Sequence, residues 1–348
     1  MDWQDEWWTS SLGRNGFWHR EHPADHFRTS AGDAGDAAMT AEYLRALLSV
    51  LPEHLRHHSG APGHGSPAGD PTRIAPTLVD LGAADGSLLR AAARARPGWA
   101  LHGVDVRPAP ADLPPTVHWH QHLWDVRTTG WTGPDGLPTN LLGPDGPDGP
   151  LLVVAHEWLD DLPCRVAQRT PTGWELLGPH GPTGWAPDPA EACWLEAWAG
   201  DARTVEVGLT RDRAWAAIAA SLPPGSILVA IDYGHLRRDR PPEGALLGYR
   251  DGLLVDPVPD GRTNITAPVA VDALAAAVER VPGVRRLLVA RQSTVMADLA
   301  DTVPADPLPA DRGAPLAALV GANRRRALAD PGRLGANWWL VHAVGPTP

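Results

Sequence analysis

Short segments rich in apolar and β-branched residues recur along the middle of the chain and alternate with segments of helical periodicity. Between the first two, residues 87–96 place Leu and Ala at intervals of three and four, which is typical of an amphipathic helix. Because such strands alternate with helices, the pattern predicts an α/β fold whose mainly parallel sheet is covered on both faces. The predicted strands are 77–81, 100–104, 116–120, 151–155 and 227–231, followed near the end by 286–291 and 338–344.

Two regions lie outside this alternation. Residues 1–76 are interpreted as an N-terminal extension with one amphipathic helix, 39–51, and a Gly/Pro-rich linker over 59–76. The main domain is predicted over 77–348. Within it, the stretch 164–222 is too long for one crossover helix and carries five Trp residues, so it predicts an inserted subdomain over the strand ends.

Composition excludes several classes of enzyme. All 30 basic residues of the 348-residue chain are Arg, and there is no Lys. The lack of Lys excludes Schiff-base and pyridoxal-phosphate enzymes, Walker-type phosphate loops and protein kinases, because each of these needs a Lys amine. The formal net charge of −11 argues against a nucleic-acid partner, since a basic surface is needed to neutralise phosphates. The same charge is compatible with a basic polypeptide partner.

Cysteine content and hydropathy bear on the cellular compartment. The chain has two Cys, Cys164 and Cys193, which are too few for a disulfide framework. The N-terminus lacks the basic and apolar regions of a signal peptide. The aliphatic runs are far shorter than the roughly 20 residues that a membrane-spanning helix needs. We therefore expect a cytoplasmic protein without a membrane partner.

The turn after the first strand carries a pattern typical of nucleotide cofactors. Gly82 permits a tight backbone turn, and Gly86 permits the close approach of a ligand or helix. Asp105 ends the second strand, 25 residues after Asp80, where a carboxylate can accept hydrogen bonds from both hydroxyls of a ribose. These four residues, together with Ala84 between the two glycines, are the first candidates for cofactor binding.

Ala84 occupies the middle position of this turn, where dinucleotide-binding proteins carry a Gly that makes room for the pyrophosphate. Its presence argues against NAD or FAD. The acidic Asp80 favours a cationic cofactor with an amino-acid moiety, and S-adenosylmethionine has both features. An NAD-dependent enzyme and an ordinary strand–helix turn with surface Asp residues remain the alternatives.

A second acidic group follows the fourth and fifth strands, at the edge of the sheet where ligands of such folds bind. Glu157 and Asp160 come just after the fourth strand, and Asp232 and Tyr233 end the fifth. If the substrate is Arg, Glu157 and Asp160 are the candidate catalytic residues, because paired carboxylates can grip the planar guanidinium. Asp232 and Tyr233 are then expected to shape the substrate pocket. Alternatively, Asp160 and Asp161 cap the N-terminus of a helix.

Two patterns resemble metal sites, but neither supplies a full set of metal ligands. His156 and Glu157 begin a zinc-protease pattern, but its second His is missing. His118, His120 and His122 alternate, so a strand would place them on one face. A solvent-facing strand side is the favoured interpretation, and no metal is predicted.

Several segments, taken in order, resemble the MidA-like family of S-adenosylmethionine-dependent methyltransferases, whose mitochondrial members methylate arginine on a subunit of respiratory complex I during its assembly. The resemblance covers roughly residues 27–343. It is carried by Phe27–Ser30, Val79–Ser87, Val117–His120, Ala155–Pro163, Ile231–Gly234, Gly244–Tyr249 and Asn264–Val269, with Gln292 near the last strands.

The resemblance implies a Rossmann-like class I methyltransferase sheet whose last strand is antiparallel, with S-adenosylmethionine as cofactor and a protein arginine as acceptor. Thr29, Ser30 and Asp125 are then expected among the cofactor-binding residues. His156, Asn264 and Pro268 depart from the family's Asn, Asp and His, and Ala84 from its middle Gly. These departures leave open a non-catalytic assembly factor that retains the fold.

Overall fold

The structure is a computed structural model that describes residues 1–21, 26, 36–52, 76–142, 146–302 and 314–346, without the side chains of 300–302 and 314–318. Its α-helices are α1 (Trp3–Leu12), α2 (Phe17–Arg20), α3 (Ala37–Ser49), α4 (Ser87–Ala95), α5 (Pro189–Trp198), α6 (Leu209–Ser221), α7 (Val271–Val278), α8 (Gln292–Thr302) and α9 (Ala314–Ala329). Its β-strands are β1 (Thr77–Leu81), β2 (Ala100–Asp105), β3 (Val117–Gln121), β4 (Leu123–Asp125), β5 (Gly130–Thr132), β6 (Pro138–Thr139), β7 (Leu151–His156), β8 (Val166–Thr170), β9 (Gly173–Gly178), β10 (Gly181–Pro182), β11 (Thr204–Glu206), β12 (Ile227–Asp232), β13 (Gly234–His235), β14 (Leu247–Arg250), β15 (Leu253–Val255), β16 (Asn264–Thr266), β17 (Val269–Ala270), β18 (Val284–Arg291) and β19 (Trp338–Val344).

A seven-stranded sheet in the order β18-β19-β12-β7-β1-β2-β3 forms the centre of the fold. Neighbouring strands from β12 to β3 pair in parallel, whereas β19 is antiparallel to both β12 and β18. This topology confirms the predicted Rossmann-like class I methyltransferase sheet with its antiparallel last strand. All seven strands of the sheet fall within a few residues of the sequence-based bounds.

Continuous burial of the central strands explains their apolar sequences. In β1, Val79 and Leu81 pack into one core cluster, while Leu78 packs into the cluster on the opposite face. Helices α6 and α7 cover the first face, with the fully buried Trp215 at its centre. Helices α3 and α4 cover the second face, where Tyr43 is also fully buried. Because helices cover both faces of the sheet, the carboxyl ends of its strands remain accessible to a ligand.

Strand register aligns these carboxyl ends. Leu81 of β1 pairs with Val104 of β2 and with Ala155 of β7, and Ile231 of β12 pairs with His156. The polar residues at these four strand ends are therefore brought to the same edge of the sheet.

The predicted insertion contains two kinds of structure. Strands β8 to β11 form a separate antiparallel sheet in the order β10-β9-β8-β11, and α5 packs beside it. Helix α6 lies within the same predicted range, 164–222, yet it packs on the central sheet as the crossover from β7 to β12. The division of the chain into domains stays a prediction.

The N-terminal extension is folded back onto this body. Trp3 and Trp7 of α1 are buried against Val166 and Ile265, which join the small sheets to the extension. The predicted helix 39–51 is found as α3, whereas most of the predicted linker 59–76 lies outside the described residues. Across the described ranges, no helix is both long and apolar enough to cross a membrane.

Candidate active site

A cavity of about 620 Å³ opens at the carboxyl ends of β1, β2, β7 and β12. Its walls come from the turn after β1, the ends of β2 and β3, the turn after β7, and the small sheet of β14 to β16. Leu12, Trp18 and His26 of the N-terminal extension also line it. The cavity occupies the position at which parallel α/β sheets bind their ligands.

The turn after β1 has left-handed backbone at Gly86 and at two positions nearer the strand. Gly82 has φ 69°, and a Cβ there would lie 2.8 Å from Cδ1 of Trp158, so no larger residue fits without movement. Ala84 has φ 52°, a conformation that costs an L-residue about 1–2 kcal/mol. Both residues line the cavity. Such strain is found where a backbone is held close to a ligand.

Asp105 is tied to this turn and to a neighbouring Arg. Its Oδ2 accepts the backbone N–H of Ala84 at 2.8 Å, and its Oδ1 accepts Nε of Arg107 at 3.1 Å. Both Asp105 and Arg107 line the cavity. A ribose bound to the Asp105 carboxylate would therefore share it with Arg107, a residue that sequence reasoning did not single out.

Asp80 lines the cavity from a buried position at the end of β1. Burial, reinforced by the charges of Asp105 and Asp85, raises the pKa of Asp80 to about 8. A cation in the cavity would favour the ionised carboxylate, so this group and a cationic ligand are thermodynamically linked.

We expect the affinity for S-adenosylmethionine to increase by about 20-fold between pH 6.0 and 7.5, because Asp80 must lose its proton to pair with a cation. Titration calorimetry at the two pH values measures this change. Asp80→Asn should flatten the pH dependence, and an equally steep dependence in that variant would contradict the assignment.

The stability of the protein without ligand depends on pH in the opposite direction. Since the folded-state pKa of Asp80 is the higher one, the free energy of unfolding falls as the pH rises from 3.8 to about 8.

Asp160 belongs to a buried network at the other end of the cavity. Oγ1 of Thr266 donates to its Oδ2 at 2.6 Å, and the hydroxyl of Tyr233 is hydrogen-bonded to the same Oγ1. All three residues line the cavity. Oδ1 of Asp160 is buried and accepts no hydrogen bond from the described residues. Burial is the main cause that raises the pKa of Asp160 above its usual value.

Asp232 supports the turn after β7 and is not among the residues that line the cavity. Its Oδ2 accepts the backbone N–H groups of Leu159 and Asp160, at 3.1 and 3.2 Å. The structure thus brings Tyr233 to the cavity and places the Asp232 carboxylate behind it. Direct contact of Asp232 with substrate stays a prediction, which the lining of the cavity does not support.

Glu157 is held in an unusual conformation at the mouth of the turn. Its φ of 47° lies in the left-handed region, and its Oε1 accepts Nδ2 of Asn337 at 3.0 Å. Nε2 of His156 lies 3.7 Å from the same oxygen. Burial lowers the pKa of His156 to about 3, so its ring is neutral and adds no charge beside Glu157.

The remaining cofactor candidates differ in position. Asp125 is paired with Arg127, whose Nη2 lies 2.7 Å from Oδ2, and it does not line the cavity. Gly86, with φ 76°, precedes the first residue of α4 and also lies just outside the lining. Thr29 and Ser30 lie outside the described residues. Cofactor contacts by these four residues stay predictions.

The alternatives for the acidic and histidine patterns can also be placed. Asp160 and Asp161 lie in a turn, and no helix begins there, so they do not cap one. His102 joins the predicted histidine row, with its Nδ1 2.9 Å from Nε2 of His120. In the part of the chain that the structure describes, no group of three or more His, Cys, Asp or Glu side chains is arranged to hold a metal ion.

One buried donor of the cavity has no partner among the described residues, and it lies on β4. Trp124 is buried beside Trp131, and its Nε1 donates no hydrogen bond to the described residues. Trp124, Trp131 and Trp158 all line the cavity. An unpartnered indole N–H suits the acceptor nitrogens of a purine, and the acidic residues suit a sulfonium and an amino group. The residues present therefore fit S-adenosylmethionine.

Sheet order, glycine-containing turn and acidic strand ends define a class I methyltransferase fold. A family profile described as "Putative S-adenosyl-L-methionine-dependent methyltransferase" matches residues 77–289. This match spans more than half of the chain, and the protein belongs to that family. The predictions of methyltransferase activity and of S-adenosylmethionine as cofactor are thereby confirmed, as is the resemblance to the MidA-like methyltransferases.

Two crystal structures of proteins from Burkholderia thailandensis share this fold. A COG1565 superfamily member bound to S-adenosyl-homocysteine aligns with a TM-score of 0.68 at 18% identity, over 99% of this chain and 87% of that one. A native structure of a COG1565 superfamily protein aligns with a TM-score of 0.67 at 17% identity and the same coverage. Among curated proteins, no significant match was found.

Proposed function

We propose that this methyltransferase transfers a methyl group to a guanidinium nitrogen of arginine in a polypeptide. One observation carries the proposal: Oδ1 of Asp160 is buried at the cavity without a hydrogen-bond donor among the described residues. Leaving a buried acceptor unpaired costs about 1–3 kcal/mol, so a donor-bearing ligand is favoured there.

The charges around this atom favour a cationic donor. Glu157, Asp160 and Asp161 all line the cavity, and burial raises the pKa of Asp161 well above its usual value. Three carboxylates close together on one cavity wall repel one another when ionised, and a guanidinium offsets that repulsion with its charge and five N–H donors. The net charge of −11 further supports a basic polypeptide as substrate.

Side chains of this protein would orient the acceptor and take up its proton. When bound, S-adenosylmethionine would supply an electrophilic methyl group whose carbon–sulfur bond breaks on transfer, with S-adenosylhomocysteine leaving as a neutral thioether. Glu157 and Asp160 can hold the guanidinium so that one nitrogen faces that methyl group. When this nitrogen forms its new bond to carbon, it releases one N–H proton. The buried Asp160 carboxylate is a suitable acceptor, because burial raises its pKa.

The test is transfer of tritiated methyl groups from S-adenosylmethionine to matched peptides that contain either Arg or Lys in the same basic sequence. We expect transfer to the arginine peptide and a product identified as methylarginine by mass spectrometry. Transfer only to lysine, or only to small molecules, would overturn the proposal. Binding of S-adenosylmethionine without transfer to any protein in a lysate would favour the non-catalytic assembly factor instead.

A further inference from the structure

Asn264 is a second unsatisfied acceptor in the same cavity. It begins β16, is 3% exposed, and lines the cavity. Its Nδ2 donates to Oδ1 of Asp161 at 3.2 Å. Its Oδ1 is buried and accepts no hydrogen bond from the described residues. One end of this amide is thus anchored, and the other end has an unused acceptor.

Anchoring decides which way the amide points. A carboxylate accepts hydrogen bonds, so the Nδ2 end of Asn264 must face Asp161 and the oxygen must face away from it. A second carboxylate at this position would repel Asp161, whereas an amide stabilises it. Asn264 therefore adds an acceptor to the acidic end of the cavity without adding a negative charge.

The strand brings this acceptor close to the Asp160 network. Residues two apart on a strand point to the same face, so Asn264 and Thr266 share one side of β16. Thr266 donates to Oδ2 of Asp160, which leaves Oδ1 of Asp160 unsatisfied. Asn264 also pairs in register with Tyr249 of β14, another residue that lines the cavity. Two buried oxygens without donors, Oδ1 of Asp160 and Oδ1 of Asn264, consequently serve one subsite.

We propose that Asn264 is a specificity-determining residue whose Oδ1 accepts an N–H from the same guanidinium that Asp160 holds. This inference rests on the proposed function and deepens it. A guanidinium spreads five N–H donors over three nitrogens of a rigid plane, whereas an ammonium carries three donors on one nitrogen. An anchored amide oxygen beside a carboxylate oxygen suits donors on two different nitrogens. The subsite therefore selects guanidinium over primary ammonium.

Small probes test the subsite independently of methyl transfer. The dissociation constants of methylguanidinium and methylammonium are measured by NMR titration of the protein saturated with S-adenosylhomocysteine. We expect the wild-type protein to prefer methylguanidinium and Asn264→Ala to weaken its binding by about five- to tenfold, the effect of one lost hydrogen bond. Methylammonium binding should change by less than about twofold. Ile265→Val, a buried change on the same strand, is the matched control and should alter neither constant.

Two further readouts separate the possible outcomes. In the wild-type protein, the side-chain amide resonance of Asn264 should shift with methylguanidinium and not with methylammonium, which tests the contact even if Asn264→Ala fails to fold. No shift, or an unchanged methylguanidinium affinity in Asn264→Ala with normal S-adenosylhomocysteine binding, would overturn the inference. Asn264-dependent binding without transfer to any arginine peptide would overturn the proposed function and leave the subsite standing. Arginine methylation at a rate that Asn264→Ala does not change would support the proposed function and overturn the inference about Asn264.

Discussion

Asp160→Asn is expected to lower kcat for methyl transfer by about 100-fold or more while changing the affinity for S-adenosylmethionine by less than about twofold. The substitution retains the shape of the carboxylate but removes the charge that holds a guanidinium and the base that takes its proton. The single amide oxygen of Asn can still accept from Thr266, which preserves the buried network and places the NH2 group where Oδ1 of Asp160 lies. Initial rates at saturating peptide, with calorimetry for the cofactor, measure the two effects separately.

Asp212→Asn is the matched control for this prediction. Asp212 is equally buried, and burial raises its pKa to about 7, but it accepts from Trp194 at 2.7 Å and does not line the cavity. We expect its kcat to remain within about twofold of the wild-type value. Near wild-type turnover in Asp160→Asn, or an equal loss in both variants, would refute the role of Asp160.

Arg211→Met is expected to lower the free energy of unfolding by about 3–5 kcal/mol. The side chain of Arg211 is 2% exposed and donates to the backbone carbonyls of Leu162 at 3.0 Å, Ala267 at 2.9 Å and Asp160 at 2.7 Å. Methionine fills a similar volume but leaves the carbonyls of Leu162 and Ala267 without donors, while the carbonyl of Asp160 retains only the backbone N–H of Ala267 at 3.2 Å. The substitution would loosen two loops at once, because the Arg211 guanidinium joins the turn after β7 to the segment after β16.

Urea denaturation followed by tryptophan fluorescence measures this loss of stability. Arg211→Lys should recover only part of it, because an ammonium cannot reach carbonyls in three directions as the guanidinium does. Arg213→Met, on the exposed side of the same helix, should change the free energy of unfolding by less than about 0.5 kcal/mol. A loss in Arg211→Met no greater than that of the control would show that the carbonyls are satisfied without Arg211.

Local signals in the sequence were sufficient to predict the strands of the central sheet. Strands β1, β7 and β12 are buried along their whole length, and this accounts for the predominantly apolar segments by which they were predicted. The turn after β1 was equally readable, because left-handed backbone at Gly82 is a local requirement. One local signal was missed: Asp251 and Gly252 have φ 51° and 76°, as a two-residue hairpin turn requires, and Asp-Gly is its usual sequence.

Hydrogen-bond partners decide what the remaining acidic residues can do. The Asp125 carboxylate pairs with Arg127, two residues later in the chain, and Asp125 does not line the cavity. The Asp232 carboxylate accepts two backbone N–H groups of the turn after β7, more than 70 residues earlier in the chain. Contacts of Asp125 with the cofactor and of Asp232 with the substrate stay predictions, and no sequence pattern indicated these partners, since they are set by packing.

The sequence by itself determined the class of fold, the cofactor and the edge of the sheet where chemistry takes place. Periodicity, Gly positions and acidic strand ends suffice for these because each depends on residues that are close along the chain. Only the tertiary structure placed Thr266 and Asn264 of β16 against Asp160 and Asp161, about a hundred residues earlier in the chain. That arrangement left one oxygen on Asp160 and one on Asn264 without donors. Which buried atoms remain unsatisfied depends on every neighbour in space, and no local pattern records it.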